Sequence, residues 1–290
     1  MTEPRGKKPK FEVDWPEITP IEPDPISLKD RLVSVGMWSL ALPWLAGGTG
    51  AIYLARKFLT TDQADPLDRL YIKGQLALTG CSWKSVVHPG VDPKKQYLFF
   101  QNHVNNLDHC TMYNATPHFK QGVELAEHFE YPFYGPFMKQ RGTLPVVRGS
   151  AEGLKNLIKG MRAEIERGHS ILVFPEGTRT TTGRVGPFKP GVFRIALDLG
   201  VPIVPVSVTG MYDFMRKGSY VLRPGFDVTV FYDRPIPTEG LRHDDVPRLM
   251  KQVHGVMSRR VDDYWRARGK LPPLPTEPPS EPVSETAELG

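Results

Sequence analysis

Cysteine is scarce in this chain: Cys81 and Cys110 are the only two among 290 residues, and their spacing suggests no pair. That excludes a disulfide-built fold and points to a reducing compartment. The basic residues Arg5, Lys7, Lys8 and Lys10 are followed by Glu- and Pro-containing sequence rather than an apolar stretch, so no cleaved signal peptide is expected. No Lys/Arg-rich run with interleaved aromatics occurs, which removes the usual footprint of a nucleic-acid binder. No internal repeat is present. His103, Asp108, His109 and Cys110 are possible metal ligands, but no further ligand pair stands at a recognisable spacing, so neither metal nor cofactor is expected. A serine nucleophile finds little support either, because Gly168-His169-Ser170-Ile171-Leu172 lacks the second glycine of a nucleophile elbow.

What the chain does have is enough apolar material for a core, with 40% hydrophobic and 24% charged residues. Lys and Arg outnumber Asp and Glu by 37 to 32. This mild positive excess suits anionic partners such as phospholipid headgroups or phosphorylated substrates. Residues 1–27 are rich in proline and mixed charge and read as a flexible arm. Residues 269–290 repeat that composition and read as a second disordered tail. Between them, Leu32 to Ala55 carries no charge and reaches the roughly 20 residues that cross a bilayer core. Pro43 and the cluster Gly47-Gly48-Thr49-Gly50 interrupt it, and Trp38 and Trp44 are residues that favour the membrane interface. The expectation is two short helices in a shallow membrane-seated hairpin, within an N-terminal helical segment over 28–74. A straight span and a buried core segment remain as alternatives.

From about Gln75 to Arg268, short apolar runs alternate with helical patterns, which argues a layered α/β domain. Strands are expected at Thr79–Val87, Tyr97–Gln101, Thr143–Val147, Ser170–Phe174, Val204–Val208 and Phe226–Phe231. Helices are expected at Leu107–Ala115, Tyr134–Gln140, Ala151–Arg167, Gly191–Leu199 and Asp245–Arg268, with Ser150 as N-cap of the third.

Three polar clusters follow apolar strands, the place where α/β folds hold ligands. The first is Asn102-His103-Val104-Asn105-Asn106-Leu107-Asp108. Its asparagines suit a tight turn that brings the Asp108 carboxylate back to the His103 ring, fixing one nitrogen as N–H and freeing the other as a base. That is two-thirds of a nucleophilic triad, the missing member being a substrate hydroxyl. The alternative is a loop histidine with an aspartate nearby by chance. The second cluster is Phe174-Pro175-Glu176-Gly177-Thr178-Arg179, and the third ends Gly142-Thr143-Leu144-Pro145-Val146-Val147 with Arg148. Two guanidinium groups at neighbouring strand ends would suit a phosphomonoester, though each could equally be solvated. A further run, Val201-Pro202-Ile203-Val204-Pro205-Val206, reads as a core strand or a channel wall.

In this order NHVNNLD, GTLPVVR, FPEGTRT and VPIVPV resemble the four blocks of the glycerolipid acyltransferase family, best known from 1-acylglycerol-3-phosphate acyltransferases. The likeness covers roughly Thr79 to Tyr232 and is densest from Ile171 to Gly210. It implies a mixed sheet flanked by helices, with a membrane-seated N-terminal helix pair. It also implies acyl transfer from acyl-CoA or acyl carrier protein to the sn-2 hydroxyl of a lysophosphatidic acid, giving phosphatidic acid. His103 would be the base and Asp108 its orienting carboxylate. Arg148, Glu176, Gly177, Thr178 and Arg179 would bind the acceptor's glycerol phosphate, and Pro205 would shape the acyl region. Implied partners are membrane phospholipids, the lysophospholipid acceptor and the thioester donor, with the site on the cytoplasmic side of a membrane. Glycerol 3-phosphate, another lysophospholipid or an aminoacyl lipid is an alternative acceptor, and a non-catalytic membrane-binding relative is the rival class. The sequence departs from the pattern at Leu125, which stands where many relatives carry a lysine before the Pro132-Phe133-Tyr134-Gly135 turn. Lys120 and Lys139 lie nearby. Pro145 and Val146 replace a common Phe-Ile pair.

Overall fold

The computed structural model describes residues 13–113, 115–132 and 134–274. Along the chain run α1 (Leu28–Ala55), α2 (Thr61–Ala77), β1 (Ser82–Val87), β2 (Leu98–Gln101), α3 (Asp108–Tyr113), β3 (Lys120–Gln121) and β4 (Val123–Leu125). Then come α4 (Tyr134–Arg141), β5 (Leu144–Val146), α5 (Ala151–Glu166), β6 (Ser170–Val173), α6 (Pro190–Leu199), β7 (Ile203–Thr209), β8 (Asp227–Tyr232) and α7 (Val246–Ala267). Short 3₁₀ turns occupy Ala126–Glu130 and His243–Asp245.

Six strands form the main sheet in the order β1-β8-β7-β2-β6-β3. All neighbours are parallel except β7 and β8, so the sheet is mixed. Strand β2 lies inside it, and Leu98, Phe99 and Phe100 are wholly buried. A strand covered on both faces reads as a continuous apolar run, which is why YLFFQ needs no alternation. Phe99 sits opposite both Leu172 of β6 and Val204 of β7. The carboxyl ends of β2 and β6 therefore reach the same edge, and the loops after them emerge side by side. The amphipathic α7 lays Leu249, Val253, Met257 and Trp265 into the core.

Three expectations need correction. Residues 13–27 carry no helix or strand, but they do not form a free arm: Trp15 packs on Phe188 and His254, Ile21 is buried, and the Ile21 N–H donates to the Thr182 carbonyl at 2.8 Å. Two apolar anchors in a proline-stiffened strap are enough to hold it on the domain. The remainder of that arm (1–12), the tail from 275 onward and Phe133 lie outside the described residues. Second, Leu32–Ala55 does not break into two pieces. It belongs to one helix of 28 residues with Pro43 inside, started by a capping box between Ser27 and Asp30. The glycines are contact points rather than ends: a Cβ on Gly48 would lie 2.3 Å from the Tyr71 ring, and one on Gly74 would lie 2.1 Å from the Trp44 ring. The hairpin is thus α1 against an antiparallel α2, and α2 runs past Gln75, through the expected boundary. Third, β5 leaves the main sheet and pairs only with β4.

Helix α1 is long and apolar enough to cross a membrane, and only 11% of its most apolar window is buried in the protein. Leu32, Val35, Leu40 and Leu54 stand exposed along it. Leaving a leucine in water forgoes about 1.5–3 kcal/mol, so this face gains from any apolar cover. Replacing the exposed Leu32 and Leu40, neither of which lines the active-site cavity, together by aspartate is expected to shift the protein from the membrane pellet to the supernatant on fractionation without lowering its melting temperature. An unchanged distribution would remove α1 as the anchor.

Candidate active site

The turn out of β2 is built by asparagines. The Asn102 side chain replaces a ladder residue, accepting from the Val208 N–H at 2.7 Å and donating to the Val208 carbonyl at 3.0 Å. Asn105 donates to the Met211 carbonyl at 3.0 Å and accepts from the Leu107 N–H at 2.8 Å, an Asx turn that delivers the chain into α3. Asp108, first residue of α3, thereby faces back over the loop. Its Oδ2 accepts from the Val104 and Asn105 N–H groups and lies 2.8 Å from His103 Nδ1. A carboxylate accepts only, so Nδ1 carries the proton and Nε2 is left as the acceptor. Asp108 is 1% exposed and His103 23%. The His103 ring stacks on Phe174, centroids 4.1 Å apart and planes 13° from parallel, which fixes its orientation.

The loop after β6 grips His103 from the other side. Glu176 Oε1 accepts from the His103 N–H at 2.8 Å, and the Thr180 N–H donates to the His103 carbonyl at 2.7 Å. Glu176 Oε2 accepts from the Gly186 N–H at 2.9 Å. A Cβ at Gly186 would lie 3.0 Å from that oxygen, so a larger residue there would have to push the carboxylate aside by a few tenths of an ångström. Burial pushes the Glu176 carboxyl up to about 8, against the pull of its two backbone donors, with the Asp108 charge adding to the rise.

His103 and Asp108 open on a cavity of about 530 Å³ between the N-terminal helix pair and the sheet domain. Trp38, Trp44 and Leu45 of α1, Ile72 of α2, Phe137 and Met138 of α4, and Phe214 and Met215 beyond β7 give it long apolar walls. A slightly larger hollow, about 610 Å³, lies between Arg234 and Arg259. It sits beyond the carboxyl end of the antiparallel β8, at the opposite end of the sheet from His103, and its lining imidazole, His88, accepts at Nδ1 from the Gly90 N–H while Asp233 pairs with Arg260, so it holds no carboxylate-braced base. The chemistry belongs to the smaller cavity.

Of the residues expected at the acceptor phosphate, only Arg179 lines this cavity. Glu176 is 4% exposed and spends both oxygens on backbone N–H groups. It holds two loops together and does not line the cavity. Arg148 is exposed, and its guanidinium donates to the Gly177 carbonyl at 3.2 Å, because β5 brings it in from outside the sheet. Gly177, at φ +68°, makes the bend that turns its carbonyl that way. Thr178 is exposed, and its Oγ1 accepts from Lys217 Nζ at 2.8 Å. Lys217 also donates to the Arg179 carbonyl at 3.3 Å. Arg148 and Lys217 thus bond the turn that carries Arg179, and of the three Arg179 lines the cavity. Lys217 has no sequence signal, since a turn after β7 places it there.

Lys139 pairs with Glu130 on the surface. Lys120 is buried in the cavity wall, its Nζ bonded to Thr116 Oγ1 at 2.6 Å and facing the Phe99 ring, and burial holds its amine well below the usual lysine range. Among the described residues no group of three His, Cys, Asp or Glu side chains is placed to hold a metal ion.

The acyltransferase family model matches residues 85–209. A 1-acyl-sn-glycerol-3-phosphate acyltransferase of Limnanthes douglasii is 31% identical over 58% of this chain and 60% of its own length. The alpha form from Ovis aries is 30% identical over 57% of this chain and 58% of its own length. A probable 1-acyl-sn-glycerol-3-phosphate acyltransferase of Mycoplasma genitalium is 27% identical over 65% and 72%. The chain therefore spans about 60% of the length of the plant relatives that it matches. The crystal structure of the 1-acyl-sn-glycerophosphate acyltransferase PlsC from Thermotoga maritima superposes with a TM-score of 0.68 at 20% identity, covering 81% of this chain and 96% of that one, a likeness of fold. The histidine–aspartate turn, the loop that clamps it and these matches agree on an acyltransferase domain over residues 85–209 that is similar to 1-acyl-sn-glycerol-3-phosphate acyltransferases.

Proposed function

We propose that this protein is an O-acyltransferase that moves a fatty acyl group from acyl-CoA or acyl carrier protein to the sn-2 hydroxyl of 1-acylglycerol 3-phosphate, giving phosphatidic acid. The observation that carries the reading is a carboxylate-braced imidazole lining a largely apolar cavity that Arg179 also lines. His103 Nε2 takes the proton of the acceptor hydroxyl as its oxygen attacks the thioester carbonyl. The Asp108 carboxylate stabilises the imidazolium that forms. The tetrahedral adduct collapses, the C–S bond breaks, and the imidazolium returns its proton to the departing thiolate. Direct transfer fits the lining, since among the described residues no serine or cysteine lines the cavity to carry an acyl-enzyme.

Arg179, with Arg148 and Lys217 behind it, holds the acceptor phosphate, and the exposed face of α1 seats the protein in the membrane from which the lipid comes. The unpaired Cys81 and Cys110 support an active site on the cytoplasmic side. The test is purified protein with lysophosphatidic acid and acyl-CoA, reading free CoA against a His103→Ala control. Arg179→Ala is expected to raise KM for the phosphorylated acceptor by about 10- to 100-fold, the loss of one charge-assisted contact, with little change in KM for the donor. Equal rises in both constants would remove Arg179 from the phosphate site.

A further inference from the structure

Residues 13–27 cross the domain without helix or strand and end at the Ser27 cap of α1. The segment they cross is the one that holds His103. Both backbone groups of His103 are taken by the loop between β6 and α6: its carbonyl by the Thr180 N–H at 2.7 Å, and its N–H by Glu176 Oε1 at 2.8 Å. The rest of that loop secures these two contacts. Thr180 Oγ1 donates to the Arg184 carbonyl at 2.8 Å, and the Gly186 N–H donates to Glu176 Oε2 at 2.9 Å. Between them, the successive carbonyls of Thr181, Thr182 and Gly183 are each taken by a donor from a different part of the chain. Tyr212 Oη reaches the first at 2.9 Å, the Ile21 N–H the second at 2.8 Å, and Trp265 Nε1 the third at 2.8 Å.

The strap is the donor among these three that belongs to no helix, strand or following turn, and its hold on the loop is double. The Ile21 side chain is 2% exposed, and its Cβ lies 3.2 Å from the place that a Cβ on Gly183 would take. It therefore lies directly on the bend that Gly183 makes at φ +76°. Trp15 sits against Phe188, centroids 5.8 Å apart, and against His254 at 4.5 Å. Phe188 precedes Lys189, whose N–H donates to the Pro175 carbonyl at 2.8 Å and closes the base of the loop. The strap thus presses on the loop at its tip and at its base, while none of the strap's described residues lines the cavity. We propose that the strap is a positioning element for the acyl transfer, resting on the acyl-transfer reading above: Ile21 and Trp15 hold the loop that sets the His103 backbone, so that Nε2 meets the acceptor hydroxyl. A shift of about 1 Å at a reacting group costs up to about 10²-fold in rate, so a partial slackening of the loop is enough to be read in turnover.

The variants are Ile21→Asp, which puts a charge against the bend, and Trp15→Ala, which removes the other anchor, with Ile21→Val keeping the branched apolar side chain. Turnover is read from CoA release with lysophosphatidic acid and acyl-CoA, well below the melting temperature of each variant, so that loss of folded protein does not enter. Ile21→Asp and Trp15→Ala are each expected to lower kcat by about tenfold, with KM for donor and acceptor within about twofold, and Ile21→Val to keep the wild-type kcat. The same changes are then made in His103→Ala. A strap that acts through the imidazole leaves the residual rate of that background unchanged, since no ring is left to misplace. A second fall of the same size there would make the strap a general brace and overturn the proposal. Wild-type kcat in both strap variants, or a rise in KM at unchanged kcat, would overturn it too and leave the acyl-transfer reading standing. Should Ile21→Asp fail to fold, Trp15→Ala and its pairing with His103→Ala carry the test. Absence of CoA release from the wild type would remove the acyl-transfer reading and the strap's role with it.

Discussion

Alanine at His103 is expected to lower turnover by about 10²- to 10⁴-fold while leaving the protein folded, because the base contributes to the transition state and little else. The ring makes one stacking contact, with Phe174, and one hydrogen bond, to Asp108. After the change Asp108 Oδ2 keeps the Val104 and Asn105 N–H groups, so the buried carboxylate is not stranded. A net hydrogen bond is worth about 0.5–1.5 kcal/mol, small against a domain stability of about 5–15 kcal/mol. Residual rate above background comes from holding donor and acceptor together in one cavity. Turnover from CoA release and a thermal melt on the same preparations separate the two effects. Wild-type turnover in His103→Ala would end the assignment of the base.

Much of this architecture is legible in local pattern. Strands expected at Tyr97–Gln101 and Ser170–Phe174 are found at Leu98–Gln101 and Ser170–Val173, since fully buried strands announce themselves as apolar runs. The β3 and β4 strands escape because FKQGVEL holds no such run. Their pairing is set by β6 and β5, distant in sequence. Helix α2 buries Ala64, Tyr71, Ile72 and Leu76 on one face, but Asp68 interrupts that stripe, paired with Arg56 at the end of α1 and with Arg141 at the end of α4. In α1, Pro43 and the glycines carry a local meaning, helix interruption, that packing against Tyr71 reverses. The site divides the same way. His103 and Asp108 are five residues apart, so one turn brings them together. Glu176 reaches a backbone N–H 73 residues away, and a backbone partner leaves no mark in sequence.

That hidden contact carries the second large effect. Glu176→Ala removes the acceptor of two buried N–H groups, His103 and Gly186, each costing about 1–3 kcal/mol when unmade. Part of that loss is offset, because the carboxyl itself sits where burial disfavours its charge. A melting temperature several degrees lower is expected, together with a fall in kcat as His103 loses its clamp. KM for the acceptor should move little, since Glu176 does not line the cavity. The same residue sets a pH dependence. Its folded value of about 8 lies above the ordinary 4.5, so the protonated carboxyl favours the fold, and that contribution is lost as pH rises through this window. Glu176→Gln, which cannot ionise, should flatten the decline in melting temperature between those limits, at a lower plateau because its amide turns a donor toward one of the two N–H groups. If Glu176→Ala instead melts with the wild type and turns over at its rate, the clamp is idle and the placement of His103 rests on Asp108 and Phe174 alone.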